Sequence, residues 1–185
     1  MLKWLSGVRR RNRSQIVDSL YGEIVAAARR PRLYADWQVP DTPLGRFEMV
    51  SLHLFLFLHR LRGENAGALR EISQEVTDLF FREVDHSLRE LGIGDLGVPK
   101  RMKKLARMFY GRLNAYGQAL DSVDRNALAD ALRRNIAPER TVWNEAEALA
   151  AYVFDAQESL AALADEDLLS GKLRFPPLQE VDHAQ

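Results

Sequence analysis

The apolar residues of this chain recur every three or four positions along most of its length, a spacing that predicts helices. One such series is Ile72, Val76, Leu79, Phe80, Val84, Leu88 and Leu91, and a second is Met102, Leu105, Ala106, Phe109, Leu113, Tyr116 and Leu120. No run alternates in the manner of a strand. The sequence therefore predicts an all-α, single-domain bundle of about six helices with short capping loops and an irregular C-terminal tail.

Three glycines, Gly92, Gly94 and Gly97, separate these two series and spell G-x-G-x-x-G. That spacing is typical of a dinucleotide-binding turn, but such a turn follows a β-strand and precedes an acidic residue about 20 positions later. Here a helical pattern precedes the glycines and no such acid follows in a suitable unit. We interpret Gly92 as a helix C-cap, where a left-handed backbone conformation costs glycine little.

Length and composition exclude several function classes. At 185 residues the chain suits one domain, and 26 basic residues balance 26 acidic ones, so no overall attraction to nucleic acid is indicated. The chain has no cysteine, which excludes disulfides, thiol catalysis and cysteine-ligated metals. We expect no cofactor and no contact with DNA.

Capping residues and prolines predict the bounds of six helices. They run from Ser14 to about Arg30, Pro43 to about Leu61, Ala66 to Leu91, Pro99 to at least Leu120, Ser122 or Asp124 to about Asn135, and Thr141 to about Leu163. The stretch from Pro31 to Pro43 is predicted to be an ordered loop, and a short turn is expected at 165–170.

The two ends of the chain differ from its middle. Residues 1–13 form a basic segment without the apolar core of a secretory signal, residues 14–170 are the predicted helical domain, and residues 171–185 are expected to be extended or disordered. The basic segment would suit adsorption to an anionic membrane or to the ribosome, and a solvated tail is the alternative. The expected location is the cytoplasm, either free or peripheral at the inner membrane.

Residues 50–58, VSLHLFLFL, are the most apolar window. The window is too short to span a bilayer, which needs about 20 apolar residues. It predicts a central helix that is buried on most of its circumference. His53 lies within it and must find a hydrogen-bond partner, as a structural histidine or as a contact to a ligand or partner.

Two further groups of polar residues could carry chemistry. Glu83 and His86 form Glu-x-x-His, a di-metal bundle motif, and Glu180 and His183 repeat it, but the second pair falls in the predicted tail. We therefore expect no metal site. Lys100, Arg101, Lys103, Lys104 and Arg107 gather at the start of one helix, where cations oppose the helix dipole. They favour an acidic partner, either within the chain (Asp85, Glu90, Asp95) or outside it.

Several segments together resemble the ubiquinol–cytochrome c chaperone family. They are Pro40-Asp41-Thr42, Gly45-Arg46-Phe47-Glu48-Met49, Leu52-His53, Leu58-His59-Arg60-Leu61, Phe81-Arg82-Glu83-Val84-Asp85, Leu88 to Leu96, Val98 to Lys103, and Ala131 to Asn135. The resemblance covers about Leu20 to Ile136, and the last long helix lies outside it. The chain looks like the compact bacterial form, without a long transit peptide or an apolar N-terminal extension.

The resemblance implies an all-α assembly factor for the cytochrome bc1 complex, without enzymatic activity, that binds newly made cytochrome b. It leaves open a small partner protein, contact with the ribosome, and the oligomeric state. An apolar groove with a charged rim would suit such a client, and the apolar second helix could supply one with its flanking charges Arg46, Glu48, Arg60 and Arg62. The candidate partner-binding residues are Arg46, Glu48, His53, Arg60, Asp85, Lys100, Arg101, Lys103 and Lys104.

Two other functions are retained as alternatives. An all-α lipid or quinone carrier would enclose an isoprenoid tail between the second, third and fourth helices, and it predicts a long internal tunnel. A metal-dependent helical-bundle enzyme would be built on Glu83 and His86.

Overall fold

The computed structural model describes residues 2–63 and 67–178, with side chains from residue 12 onward. Within these residues the chain forms eight helices and no strand, which confirms the all-α prediction. The helices are α1 (Leu2–Ala28), α2 (Pro31–Ala35), α3 (Pro43–Arg60), α4 (Ala68–Glu90), α5 (Val98–Asp121), α6 (Arg125–Ile136), α7 (Glu145–Ala161) and α8 (Asp165–Leu169).

Helix α3 is the centre of the bundle and packs against α1, α4, α5, α6 and α7. Every residue from Phe47 to Phe57 except Val50 is buried, so the apolar window forms the central helix that the sequence predicts. No helix among those described has both the length and the apolar character needed to cross a membrane.

Local capping chemistry sets several helix ends as predicted. The Thr42 side chain accepts a hydrogen bond from the Gly45 amide at 3.1 Å, and Pro43 occupies the first turn of α3. Asp124, rather than Ser122, caps α6 by accepting from the Ala127 amide at 2.8 Å. The sequence predicts these caps because each hydrogen bond joins residues only three positions apart.

Three predicted bounds are wrong. Ser14 is not an N-cap, because α1 already begins at Leu2 and Ser14 lies inside it. Residues 31–35 form the short helix α2 instead of loop, beginning at a proline whose backbone angle suits a first turn. Helix α7 begins at Glu145 rather than at Thr141, because the buried Trp143 is held outside the helix by donating from its indole to the Trp37 carbonyl at 3.1 Å.

Residues 171–178 run without helix or strand and pack onto the bundle. Leu173, Phe175 and Leu178 are buried. Arg30, which lies between α1 and α2, donates to the carbonyls of Phe175, at 3.0 Å, and of Pro176, and Arg32 donates to the Leu178 carbonyl at 3.3 Å. The prediction that residues 171–185 are extended or disordered stays a prediction. Residues 179–185 lie outside the described residues.

A buried ion pair joins α3 to α5. The Arg112 guanidinium donates two hydrogen bonds to the Glu48 carboxylate, at 2.5 and 2.6 Å, and a third to the Met108 carbonyl at 3.0 Å. The Glu48 side chain is 1% exposed. Burial raises the pKa of Glu48, and the guanidinium opposes that rise without cancelling it. The pair fixes the register of α5 against α3, because two parallel hydrogen bonds tolerate little displacement.

His53 is fully buried and bridges α3 to α7. Its Nδ1 lies 2.8 Å from the Met49 carbonyl, so this nitrogen carries the proton and donates. Its Nε2 then accepts from the Tyr152 hydroxyl at 2.9 Å. The ring also packs edge-on against Phe175, with centroids 5.0 Å apart. Of the two roles open to His53, the structure shows the structural one, in which both ring nitrogens have partners.

We predict that breaking the Glu48–Arg112 pair destabilises the protein. Glu48→Met or Arg112→Leu each leaves a buried partner without its counter-charge, which costs about 3 kcal/mol of unfolding free energy in comparable pairs. The double variant Glu48→Met/Arg112→Leu should recover much of that loss. Urea unfolding measures all three, with Asp130→Asn in the exposed Arg133–Asp130 pair as a control expected to change little. Additive losses in the double variant would contradict the coupling.

We also predict that stability falls as the pH is lowered. Burial lowers the pKa of His53 from 6.5 to about 4. Because the folded-state pKa lies below the unfolded one, the unfolded chain takes up the proton first, and stability is lost from about pH 6.5 downward, by roughly 3 kcal/mol at pH 4. Urea midpoints between about pH 6.5 and 5 should show this slope. His53→Asn should flatten it, whereas His86→Asn, at an exposed histidine, should leave it unchanged.

Candidate functional site

The glycine-rich junction ends α4 and connects it to α5. Gly92 has a positive φ of 78°. Its amide donates to the Arg89 carbonyl at 2.9 Å, and the Ile93 amide donates to Leu88 at 3.2 Å. Paired bonds of this kind define a Schellman motif, so the predicted C-cap is confirmed. Since a helix and not a strand precedes the glycines, the dinucleotide-binding alternative is excluded here.

The start of α5 presents cations that have no acidic partner. Lys100, Lys103, Lys104 and Arg107, which we call the basic face, follow one another at helical spacing and are exposed. Among the described residues, none of the four forms an ion pair. Arg101 is also exposed and unpaired, but it lies on another side of α5.

The acids expected to neutralise this basic face are engaged elsewhere. Arg89 pairs with Asp85, at 2.7 Å, and with Asp95. His86 Nε2 lies 3.2 Å from the Glu90 carboxylate. The internal acidic partner that the sequence allowed is therefore not used, and the basic face remains available to an external one.

A half-open pocket of about 350 Å³ lies between α3 and α5. Its lining consists of Phe55, Leu58, His59 and Arg62 on one side and Tyr110, Leu113, Asn114, Gly117 and Gln118 on the other. Gly117 lies in its wall, where an added Cβ would be 3.9 Å from both the Phe55 ring and the Arg62 guanidinium. We call this cavity the α3/α5 pocket.

One end of the pocket is polar. Asp121 at the end of α5 pairs with Arg62, and its Oδ1 lies 3.3 Å from His59 Nε2. The hydrogen bond from Arg62, assisted by His59, lowers the pKa of Asp121 below its usual value. Asp121 therefore stays ionised and holds the Arg62 and His59 side chains at the rim.

The pocket and the basic face belong to one side of α5. Tyr110, Leu113, Asn114 and Gly117 are spaced by three and four residues, and one and two turns earlier the same stripe carries Arg107 and Lys103. The surface thus changes from apolar to cationic along the helix. The Tyr110 side chain, 56% exposed, lies at the boundary between the two parts.

The groove predicted on the apolar second helix stays a prediction, and the α3/α5 pocket shares the C-terminal part of that helix with it. Glu48 is buried in its ion pair, so it cannot form a rim, and only Arg62 of the predicted flanking charges lines the α3/α5 pocket. The residues missed were Tyr110, Leu113 and Gly117. A glycine inside a strongly amphipathic helix was the available signal, since such a glycine weakens a helix unless it serves packing or access.

Two other candidate residues, Arg46 and Arg60, differ in their contacts. Arg46 is exposed and pairs with Asp41 at 2.6 Å. Arg60 donates to the carbonyls of Leu160 and Leu163, at 3.0 and 2.9 Å, and pairs with Asp165 at 2.7 Å, thereby fixing the end of α7 to α8. It therefore has a clear structural role.

No group of three or more metal-ligating side chains occurs within residues 12–63 and 67–178. Of the two Glu-x-x-His pairs, Glu83 and His86 lie exposed on α4, and Glu180 and His183 lie outside the described residues. Stacked aromatic rings fill the space between α3, α4 and α5, where a carrier would hold an isoprenoid tail. The pairs Phe47–Phe80, Phe80–Phe109 and Phe81–Phe109 have centroids 5.2 to 5.8 Å apart.

Three comparisons relate this chain to known proteins. The family model of the ubiquinol–cytochrome c chaperone matches residues 35–175, which extends the resemblance through α7. The chain is 27% identical over 146 residues to the ubiquinol-cytochrome-c reductase complex assembly factor 1 of Xenopus laevis, covering 78% of this chain and 72% of that protein. The crystal structure of the Cbp3 homolog from Brucella abortus is similar with a TM-score of 0.90 and 55% identity, covering 98% of this chain and all of that one.

Proposed function

Because the chain belongs to the ubiquinol–cytochrome c chaperone family, we propose that it binds newly made cytochrome b and supports its maturation into the bc1 complex. The family is one of assembly chaperones and not of enzymes. The match over residues 35–175, which spans α3 to α7, carries this proposal. The Xenopus relative is itself named as an assembly factor of ubiquinol-cytochrome-c reductase.

The α3/α5 pocket supports the proposal as the place where the client binds. Cytochrome b is hydrophobic with charged connecting loops, so its holder needs an apolar contact with charge at the edge. The pocket offers Phe55, Leu58 and Leu113 as an apolar wall and Arg62 at its rim. A volume of about 350 Å³ suits a few client side chains rather than a whole helix.

The mechanism we propose is reversible shielding. A client segment places apolar side chains in the pocket while its charged flanks meet the polar rim, and it leaves when haem and subunit partners compete for it. An open pocket favours such exchange, because the occupant can leave without local unfolding of the holder. The exposed Arg46 remains a proposed partner contact, and the basic N-terminal segment remains a predicted contact with membrane or ribosome.

The first test is genetic. Deleting the gene should lower the amounts of cytochrome b and of assembled bc1 complex, because unshielded client is degraded. Immunoblotting of cytochrome b and measurement of bc1 activity in membranes would show this. Normal amounts of both would overturn the proposed function.

The second test fills the pocket. We expect Gly117→Leu to abolish co-purification of cytochrome b, since the new side chain would occupy the space beside Phe55. Gly111→Leu is a matched control on the same helix, because a side chain there meets nothing within 4 Å and lies outside the pocket. Both substitutions replace a helix-interior glycine, so circular dichroism should show retained helicity. Equal recovery of cytochrome b with both variants would exclude the pocket as the client site.

A further inference from the structure

The loop between α4 and α5 carries the most exposed apolar side chain among the described residues. Leu96 is 99% exposed at the tip of this loop, and Leu91 at its start is 57% exposed. A protruding leucine with no apolar neighbour to cover it has no part in the core. Together with Leu91, it offers an apolar contact that the core does not use.

The cations next to this tip are the ones without acidic partners. Lys100 follows Leu96 by four residues, and Lys103 and Lys104 follow on the next turn of α5. The acids of the same region, Asp85, Asp95 and Glu90, are held by Arg89 and His86. These three acids contact Arg89 and His86 rather than the lysines, and the five cations between Lys100 and Arg107 outnumber them.

We propose that the tip of the α4–α5 loop docks the protein on an anionic lipid bilayer, with Leu96 entering the interface and Lys100, Lys103 and Lys104 contacting the headgroups. Apolar burial and attraction to anionic lipid together produce reversible peripheral binding. A protein partner would instead favour a concave or flat surface, whereas this tip is convex. The inference goes beyond the proposed function, and its test contains no client.

The geometry also explains why docking would leave the chaperone site free. The α3/α5 pocket begins at Tyr110, which lies 14 residues after Leu96 along the chain. Lys104, the last of the three docking lysines, lies six residues before Tyr110, so the pocket begins roughly 9 Å further along the helix axis. A molecule held at the loop tip would therefore present the pocket beside the membrane rather than against it.

The test is co-sedimentation of the purified full chain with vesicles of phosphatidylglycerol and phosphatidylcholine in equal parts, compared with vesicles of phosphatidylcholine alone. We expect binding to the anionic vesicles that weakens as salt is added. The triple variant Lys100→Gln/Lys103→Gln/Lys104→Gln should lower the partition coefficient on the order of a hundredfold, since each lysine near an anionic surface contributes roughly fivefold. Leu96→Ser should lower it roughly tenfold.

Matched controls distinguish the effect of this surface on vesicle binding from the effects of overall charge and of exposed apolar area. Arg29→Gln/Arg134→Gln/Arg174→Gln removes three exposed cations elsewhere, and Val142→Ser removes an apolar side chain that is 70% exposed. Both should bind as the unmodified chain does. The altered side chains are all exposed, so circular dichroism should be unchanged throughout.

Two results would overturn the inference. One is equal partition of the unmodified chain onto both vesicle types. The other is unchanged binding of the Leu96→Ser and triple-lysine variants, which would assign any membrane contact to another segment, such as residues 1–13.

Discussion

The burial of α3 is the constraint on which the rest of the structure depends. A helix that is apolar on almost every side must be surrounded, and α1, α4, α5, α6 and α7 together surround it. Its polar residues then need partners from those neighbours, since an unpaired buried group is costly. Arg112 of α5 donates hydrogen bonds to Glu48, and Tyr152 of α7 donates one to His53. These two contacts turn an apolar contact surface, which could slide, into one with a fixed register.

The same burial directs function to the periphery. Rings such as Phe80 and Phe109 fill the space that a lipid carrier would need, so binding is left to features of the surface. Helix α5 contributes to two of them, because one of its sides is cationic near its start and apolar near its end. In the two proposals made for α5, one rigid helix would set the distance between the client site and the lipid surface.

How far the sequence predicts this protein depends on the range of the interactions involved. Helical periodicity and local caps predict the helices, and Gly92, Thr42 and Asp124 behave as expected because their partners are within a few residues. Ser14 and Thr141 mislead because both look like caps, while distant contacts such as that of Trp143 with Trp37 decide where helices begin. The α3/α5 pocket could not be located, because the side of α5 that meets α3 follows from the pairing of Arg112 with Glu48, 64 residues apart.

The packing of residues 171–178 against the start of the chain affects how the protein folds. Helical bundles usually fold quickly because their contacts are local. Here Arg30 must find carbonyls 145 and 146 residues further along, and Phe175 must reach the ring of His53. Until Phe175 packs there, the apolar surface beside His53 is not covered by it, and exposed apolar surface promotes aggregation. The chain is therefore itself at risk of aggregation during its synthesis, until residues 171–178 have packed onto the bundle.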